Sequence, residues 1–575
     1  MMSKKNHIRQ EKLIIYQVFP RIFTNNCPSP VKNGSISENG SGKMNHFTPE
    51  VFRSLKQLGI NTIWYTGIIE MATKSDFSSL GIAPDNPHVV KGNAGSPYAI
   101  KDYYDVDPSI AEDAGRRREE FRNLVKRTHQ AGLRCIIDFV PNHTARHYHS
   151  DCAPDGVSDF GKGDDITKCF STANDYYYIT DQKFSPSVDI DSGGNPYVEF
   201  PAKATGNDCF SAFPGKNDWY ETVKLNYGVD YGDGTRHFTP VPPVWKKMAD
   251  ILLHWASTGI DGFRCDMVFM VPVEFWNWVI PIVKSRYPDL IFIGEIYDIA
   301  QYHRFIDYGH FDYLYDKVGL YDTLKGIRRD NVSAAKITGC WQAVDGIGDK
   351  MLNFLENHDE VRFGSDEYAG NPSAVIPYLT VCTMISKGPV LIYYGQEIGE
   401  SGHDEEGFSG LDGKSTIFDY WSYDTLRRWY CSGKCDSSML TSQEQWLRSA
   451  YSRILNLCND ESAIREGGFF DLMYANLRNP DFDPHSLFAF VRHTEESKLL
   501  IVANFSDTGK HVRISFPDEA LSCTGIERRE YTTRDLLTGQ TVNLDFSGSS
   551  AAVSVAAGNA RILKLDQNTK PFNKP

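Results

Sequence analysis

From residue 13 to about residue 394, short and nearly continuous apolar runs recur, and most follow a stretch whose apolar residues fall three and four apart. Residues 13–23 form a β-branched and aromatic run that reads as a strand, with a loop beginning at Thr24-Asn25-Asn26. Val51, Leu55 and Leu58 share one face of a predicted helix closed by Gly59, and residues 60–65 read as the next strand. The unit repeats with Phe121, Leu124, Val125 and Thr128 before Gly132 and a strand at 134–140. It repeats again with Trp245, Met248, Leu252 and Trp255 before Gly259 and a strand that ends at Asp266. Residues 275–282 lead to a strand at 290–295, and further strands are expected at 311–314, 351–355 and 390–394. Runs apolar on both faces belong to a parallel sheet covered by helices, and this number of them favours a closed (β/α)8 TIM barrel. The open doubly wound alternative lacks a Gly-x-Gly-x-x-Gly turn after the first strand.

The pattern breaks twice. Residues 141–240 are rich in Asp, Gly, Asn, Ser and Tyr, with few helical stretches and only short strand candidates such as 176–179. So long an irregular stretch inside a domain reads as an inserted subdomain with a functional role, here after the third strand. From about Gly467 the chain turns to alternating runs at 487–491, 499–503, 512–516 and 560–565, the pattern of a C-terminal antiparallel β-sandwich. The expected organisation is a barrel over 11–140 and 241–466, an insertion over 141–240 and a sandwich over 467–575 that covers one end of the barrel.

Composition narrows the partners. A net charge of -14 with no long basic run leaves nothing to neutralise nucleic acid or an anionic membrane. No apolar segment is long enough to span a bilayer, and the run after the basic N-terminus is short and interrupted by Gln17, so a cytoplasmic setting is expected. Of the twelve cysteines, Cys135 and Cys265 sit in strand-like runs. Cys152, Cys169 and Cys209 share a loop-rich region where a metal or a disulfide is the alternative to the expected free thiols.

Candidate chemistry gathers at the C-terminal ends of predicted strands, where barrel enzymes place it. Asp138 with Asn142 and His143, Arg264 with Asp266, Glu295 after Gly294, and His358 with Asp359 each end an apolar run. Alternation along a strand puts Arg264 and Asp266 on one face, so the guanidinium is expected to keep Asp266 ionised as a nucleophile. Glu295 has no basic neighbour in sequence and suits a proton-carrying acid. Retaining cleavage of a glycosidic bond needs such a pair about 5 to 5.5 Å apart, and Asp359 adds a charge to stabilise the cationic ring.

The segments Asp138-Phe-Val-Pro-Asn-His143, Gly262-Phe-Arg-Cys-Asp266, Gly294-Glu295 and Glu356-Asn-His-Asp359 resemble, in order, the conserved regions of the α-amylase superfamily of retaining α-glycoside hydrolases and transglycosylases. Residues 96–108 and 388–397 resemble two further segments. The resemblance implies that Asp266 forms the glycosyl intermediate, Glu295 is acid and base, and Asp359 stabilises the transition state. It also implies that Tyr98 stacks on the sugar, and that His143, Arg264 and His358 contact its hydroxyls or the nucleophile. No cofactor is required for the chemistry, but a structural calcium is implied, with Asn142 as a ligand; Asp189-Ile-Asp191-Ser-Gly193 is a weak further oxygen-ligand pattern. Many relatives carry Lys-His shortly after the nucleophile, contacting the leaving sugar and giving calcium a backbone ligand; Phe269 and Met270 stand there here. Ser96-Pro97 replaces a frequent His-Gly, and the 39–43 loop lacks the carboxylates of a calcium loop some relatives carry.

The expected function is hydrolysis of α-1,4-glucosidic bonds in maltooligosaccharides, starch or glycogen. The alternatives are a transglycosylase or isomerase of the same superfamily, and an inactive glucan-binding protein.

Overall fold

The computed structural model describes residues 11–187, 195–546 and 548–565. Eight parallel strands close into a barrel: β1 (Ile14–Val18), β2 (Thr62–Tyr65), β3 (Arg134–Phe139), β4 (Gly262–Cys265), β5 (Ile291–Gly294), β6 (Tyr313–Tyr315), β7 (Met351–Phe354) and β8 (Val390–Tyr393). Each neighbours the next in sequence, and β1 pairs with both β2 and β8. Helices fill the intervals, among them Pro49–Leu58, Arg117–Gln130, Pro243–Ala256 and Val273–Lys284. The predicted barrel, with its insertion after the third strand, is therefore the fold.

Two local differences have physical causes. The first strand stops at Val18 because Pro20 opens a helical turn, Pro20–Phe23, that buries Arg21. Between β2 and the following helix the chain makes an unforeseen antiparallel pair, Ile69–Met71 with Ile100–Val106, which carries Tyr98 to the barrel mouth.

The insertion builds two small sheets, His143–Ala145 with Thr222–Lys224 and Tyr178–Ile179 with Ala202–Lys203. The 176–179 strand is thus shortened to two residues, and the Asp189 to Gly193 pattern lies outside the described residues. All twelve cysteines are free thiols. Among the described residues no helix is long and apolar enough to cross a membrane.

Beyond the barrel, Gly468–Asp471, Leu487–His493, Lys498–Asn504, Asn559–Lys564, Tyr531–Asp535 and Thr541–Leu544 form one antiparallel sheet, and Lys510–Ser515 pairs with Ser550–Val555. The helix Ile376–Met384, buried on every side, packs between this sheet and the barrel. Arg492 locks the junction. Fully buried on its strand, it donates to the carbonyls of Ala463 (3.1 Å), Ile464 (3.0 Å) and Gly467 (2.8 Å). Burial lowers its pKa to about 10. Removing the side chain takes this donor from all three carbonyls, and an orphaned buried acceptor costs about 1 to 3 kcal/mol. Arg492→Ala should therefore destabilise the chain by roughly 3 kcal/mol or more in urea unfolding; a loss below about 1 kcal/mol would show that the junction does not depend on it.

Candidate active site

The C-terminal ends of β3, β4 and β5 meet around one buried cation. The ladder sets Arg264 beside Asp138 on one side and Ile293 on the other, so the guanidinium emerges level with a carboxylate of the neighbouring strand. Its Nη1 lies 2.9 Å from Asp266 Oδ1 and 3.4 Å from Asp138 Oδ1. Its Nε donates to the Tyr315 hydroxyl at 3.1 Å. Its Nη2 faces Glu295 Oε2 at 2.6 Å, an ion pair without a directed hydrogen bond. The base that Glu295 lacks in sequence is thus supplied across the sheet, because β4 and β5 are adjacent.

Both carboxylates are fixed by backbone as well. Each sits one residue past its strand but stays in the ladder, the Asp266 N–H donating to Phe139 O at 2.9 Å and the Glu295 N–H to Cys265 O at 3.0 Å. Met267 then turns the chain through left-handed backbone, φ 43°, a conformation that costs a residue with a side chain about 1 kcal/mol or more. The turn aims the Met267 N–H at Glu295 Oε2, 2.9 Å away, while the Tyr297 hydroxyl donates to Oε1.

Across the mouth, His358 and Asp359 follow β7 on a turn in which Asn357 Oδ1 accepts the N–H groups of Asp359 and Glu360. The loop is anchored below by the buried Glu356–Arg362 pair at 3.1 Å, with Arg362 donating also to the Tyr394 carbonyl and Ser415. His358 Nε2 lies 2.6 Å from the Tyr98 hydroxyl and 2.9 Å from Asp359 Oδ2, and Nδ1 lies 2.9 Å from Gln17 Nε2. Tyr98 stacks on His358, ring centroids 5.1 Å apart. His143 Nε2 donates to the Tyr98 carbonyl at 3.0 Å, which leaves Nδ1 to accept from Asn142 at 3.2 Å.

Tyr98, His143, Asp266, Glu295, His358 and Asp359 therefore line one cavity of about 450 Å³, with Arg264 buried behind it. That volume lies within the range of small-molecule sites. A larger surface groove, about 780 Å³, runs beside the helices Pro49–Leu58 and Ser442–Asp460 and holds none of these residues.

Electrostatics differ from the expectation at one point. Burial, and next Glu295, push the Asp266 carboxyl well above its ordinary range against the pull of Arg264. The attraction is present, but desolvation and a second carboxylate outweigh it, so the Asp266 carboxyl is harder to ionise than Arg264 alone would make it. At Asp359 burial also opposes charge, but His358 and Arg264 prevail and hold the carboxyl down at about 2. Burial, then Lys224, lowers His143 to about 3 and keeps it neutral.

Several residues escaped sequence reading. Trp219, Glu221 and Phe418 line the cavity from irregular segments that carry no periodicity, and Glu221 pairs with buried Lys91 at 3.0 Å. Gly92, at φ 62°, lets its loop close on Phe418, since a Cβ there would lie 2.2 Å from that carbonyl. Arg21 ties the same walls, donating to the carbonyls of Ala94 (3.1 Å), Gly95 (3.1 Å) and Ile417 (2.7 Å).

The sequence profile described as alpha amylase, catalytic domain, matches residues 17–466. The chain belongs to the alpha-amylase family. It is similar to alpha-amylase 2 of Dictyoglomus thermophilum, 21% identical over 86% of this chain and 70% of that protein. It is also similar to an intracellular maltogenic amylase of Bacillus subtilis, 25% identical over 68% of this chain and 56% of that protein. In structure it resembles the noncanonic maltogenic alpha-amylase of Thermotoga neapolitana, with a TM-score of 0.62 at 20% identity, covering 97% and 99% of the two chains. It likewise resembles the alpha-amylase of Geobacillus thermoleovorans complexed with acarbose, with a TM-score of 0.64 at 20% identity and the same coverage. Within this alpha-amylase-type glycoside hydrolase, the neutral His143 carries a pH signature. A folded-state pKa near 3 against an unfolded value of about 6.5 means the unfolded chain binds the extra proton. Its contribution is complete above pH about 6.5 and is lost as pH falls toward 3, with a slope up to about 1.4 kcal/mol per pH unit. Urea unfolding of His143→Gln should show a shallower pH dependence than the wild type in that window; equal slopes would mean that His143 titrates normally.

Proposed function

We propose that this alpha-amylase-family enzyme hydrolyses α-1,4-glucosidic bonds of maltooligosaccharides, starch or glycogen with retention of configuration. The observation that carries the reading is that Asp266 and Glu295, on adjacent strands, contact one guanidinium and line one cavity. A double displacement begins from a carboxylate pair that retains one proton. Glu295 gives its proton to the glycosidic oxygen as Asp266 attacks the anomeric carbon; the aglycone leaves, and the sugar is held as an ester on Asp266. Glu295 then removes a proton from water, which attacks the same carbon and frees Asp266. Asp359, ionised and open to the cavity, stabilises the positive charge on the ring in both steps. Tyr98 and His358 form the floor for the bound sugar, and His143, neutral, serves as a hydrogen-bonding group.

Transfer to a sugar acceptor is the second reading. Tyr297 lines the cavity, donates to Glu295, and packs on Phe269 with ring centroids 6.1 Å apart, and this apolar surface beside the acid favours a sugar acceptor over water. Free thiols throughout and a relative named as intracellular support a cytoplasmic setting.

Product analysis on linear and branched α-glucans, with anomeric configuration followed by proton NMR, tests the proposal. Hydrolysis with α-configured first products is expected. Products longer than the substrate would favour transfer, and β-configured products would refute double displacement. Glu295→Gln should lose about 10² to 10⁴-fold in kcat/KM on unactivated substrates, and Asp266→Asn at least as much. Variants as active as the wild type would remove both residues from the mechanism.

A further inference from the structure

Lys224 ends the strand Thr222–Lys224, opposite His143 in register, and is buried. Its Nζ donates to Asn142 Oδ1 and, at 3.0 Å, to the Met270 carbonyl, and it lies 2.6 Å from Asp208 Oδ1 as an ion pair. The three oxygens come from three segments: the loop after β3, the turn four residues beyond Asp266, and the insertion. Two of them are where the family resemblance places calcium ligands, Asn142 and the backbone at Met270.

We propose that Lys224 is this chain's built-in replacement for a structural calcium ion, a tethered cation that fastens the insertion to the barrel mouth. An ammonium has three donors, and three oxygens receive it. Calcium asks for six to eight oxygens at about 2.3 to 2.6 Å and usually several carboxylates. Here one carboxylate faces one fixed positive charge, and a divalent ion beside a buried ammonium would be repelled at short range. The ring of Tyr231, its centroid 5.8 Å from Nζ, contributes a further favourable face for a cation. The other titratable neighbour, His143, is held neutral and adds no competing charge.

The tie bears on the reacting groups. Asn142 passes the constraint to His143 through its amide at 3.2 Å, and Met270 belongs to the turn that begins at Asp266 and Met267. A metal ion would hold the same three segments but could be stripped away; a lysine cannot.

The test is thermal unfolding of the full-length protein in EGTA and in excess calcium chloride, for the wild type, Lys224→Met and Asp208→Ala. The wild type should unfold at the same temperature in both solutions. Lys224→Met, which keeps the stem and loses the charge, should unfold at least about 5 °C lower. A wild-type Tm lowered by EGTA, restored by calcium and no longer calcium-responsive in Asp208→Ala would overturn the proposal, as would a Lys224→Met variant as stable as the wild type. Should that variant fail to fold, crystals of the wild type grown with calcium decide the matter: density for Nζ among the three oxygens supports the proposal, and a calcium ion bound to Asn142 and Met270 refutes it.

Discussion

The site depends on a guanidinium that cannot leave. Arg264 is fully buried and stands among Asp138, Asp266 and Glu295. Three acids grouped in a dry barrel mouth would repel one another, and each would take up a proton; one fixed cation among them offsets part of that cost and gives each carboxylate a position. Burial, and next the repulsion of Glu295, still hold the Asp266 carboxyl above its ordinary range. A lysine would place a point charge where a planar fork now reaches several oxygens in set directions.

The same physics recurs wherever the mouth is irregular. Loops lack a ladder to satisfy their carbonyls, and buried carbonyls need donors. Arg21 supplies three of them to the walls near Ala94 and Ile417, Arg362 holds the loop that presents Asp359, and Lys224 joins the insertion to Asn142 and Met270. The barrel thus fixes the strand-borne groups by register, and buried cations fix the loop-borne ones.

This division explains what could be read in advance. Strand and helix runs are periodic, and Asp266 and Glu295 end such runs directly, so the barrel and its acids were legible from spacing. His143, His358 and Asp359 also follow such runs, while Tyr98 was reached through the resemblance, and the structure brings all of them to one cavity. The ion pair of Glu295 with Arg264 was not legible, since it crosses between strands 31 residues apart in number but adjacent in space. Nor were Trp219, Lys91 with Glu221, or Lys224, because irregular loops and an insertion without periodicity give no sign of which side chains turn inward. Arg21 was passed over within a run that looked like strand, where Pro20 was the sign of a turn.

The central claim is that Asp266 becomes covalently bonded to the sugar while Glu295 manages the proton. Glu295→Gln should still be glycosylated by an α-glucosyl substrate whose leaving group needs no acid, and should deglycosylate slowly. Mass spectrometry of the quenched, digested protein then reads the claim directly. The account predicts one added hexosyl unit on the peptide containing Asp266; a label on a different carboxylate would contradict it.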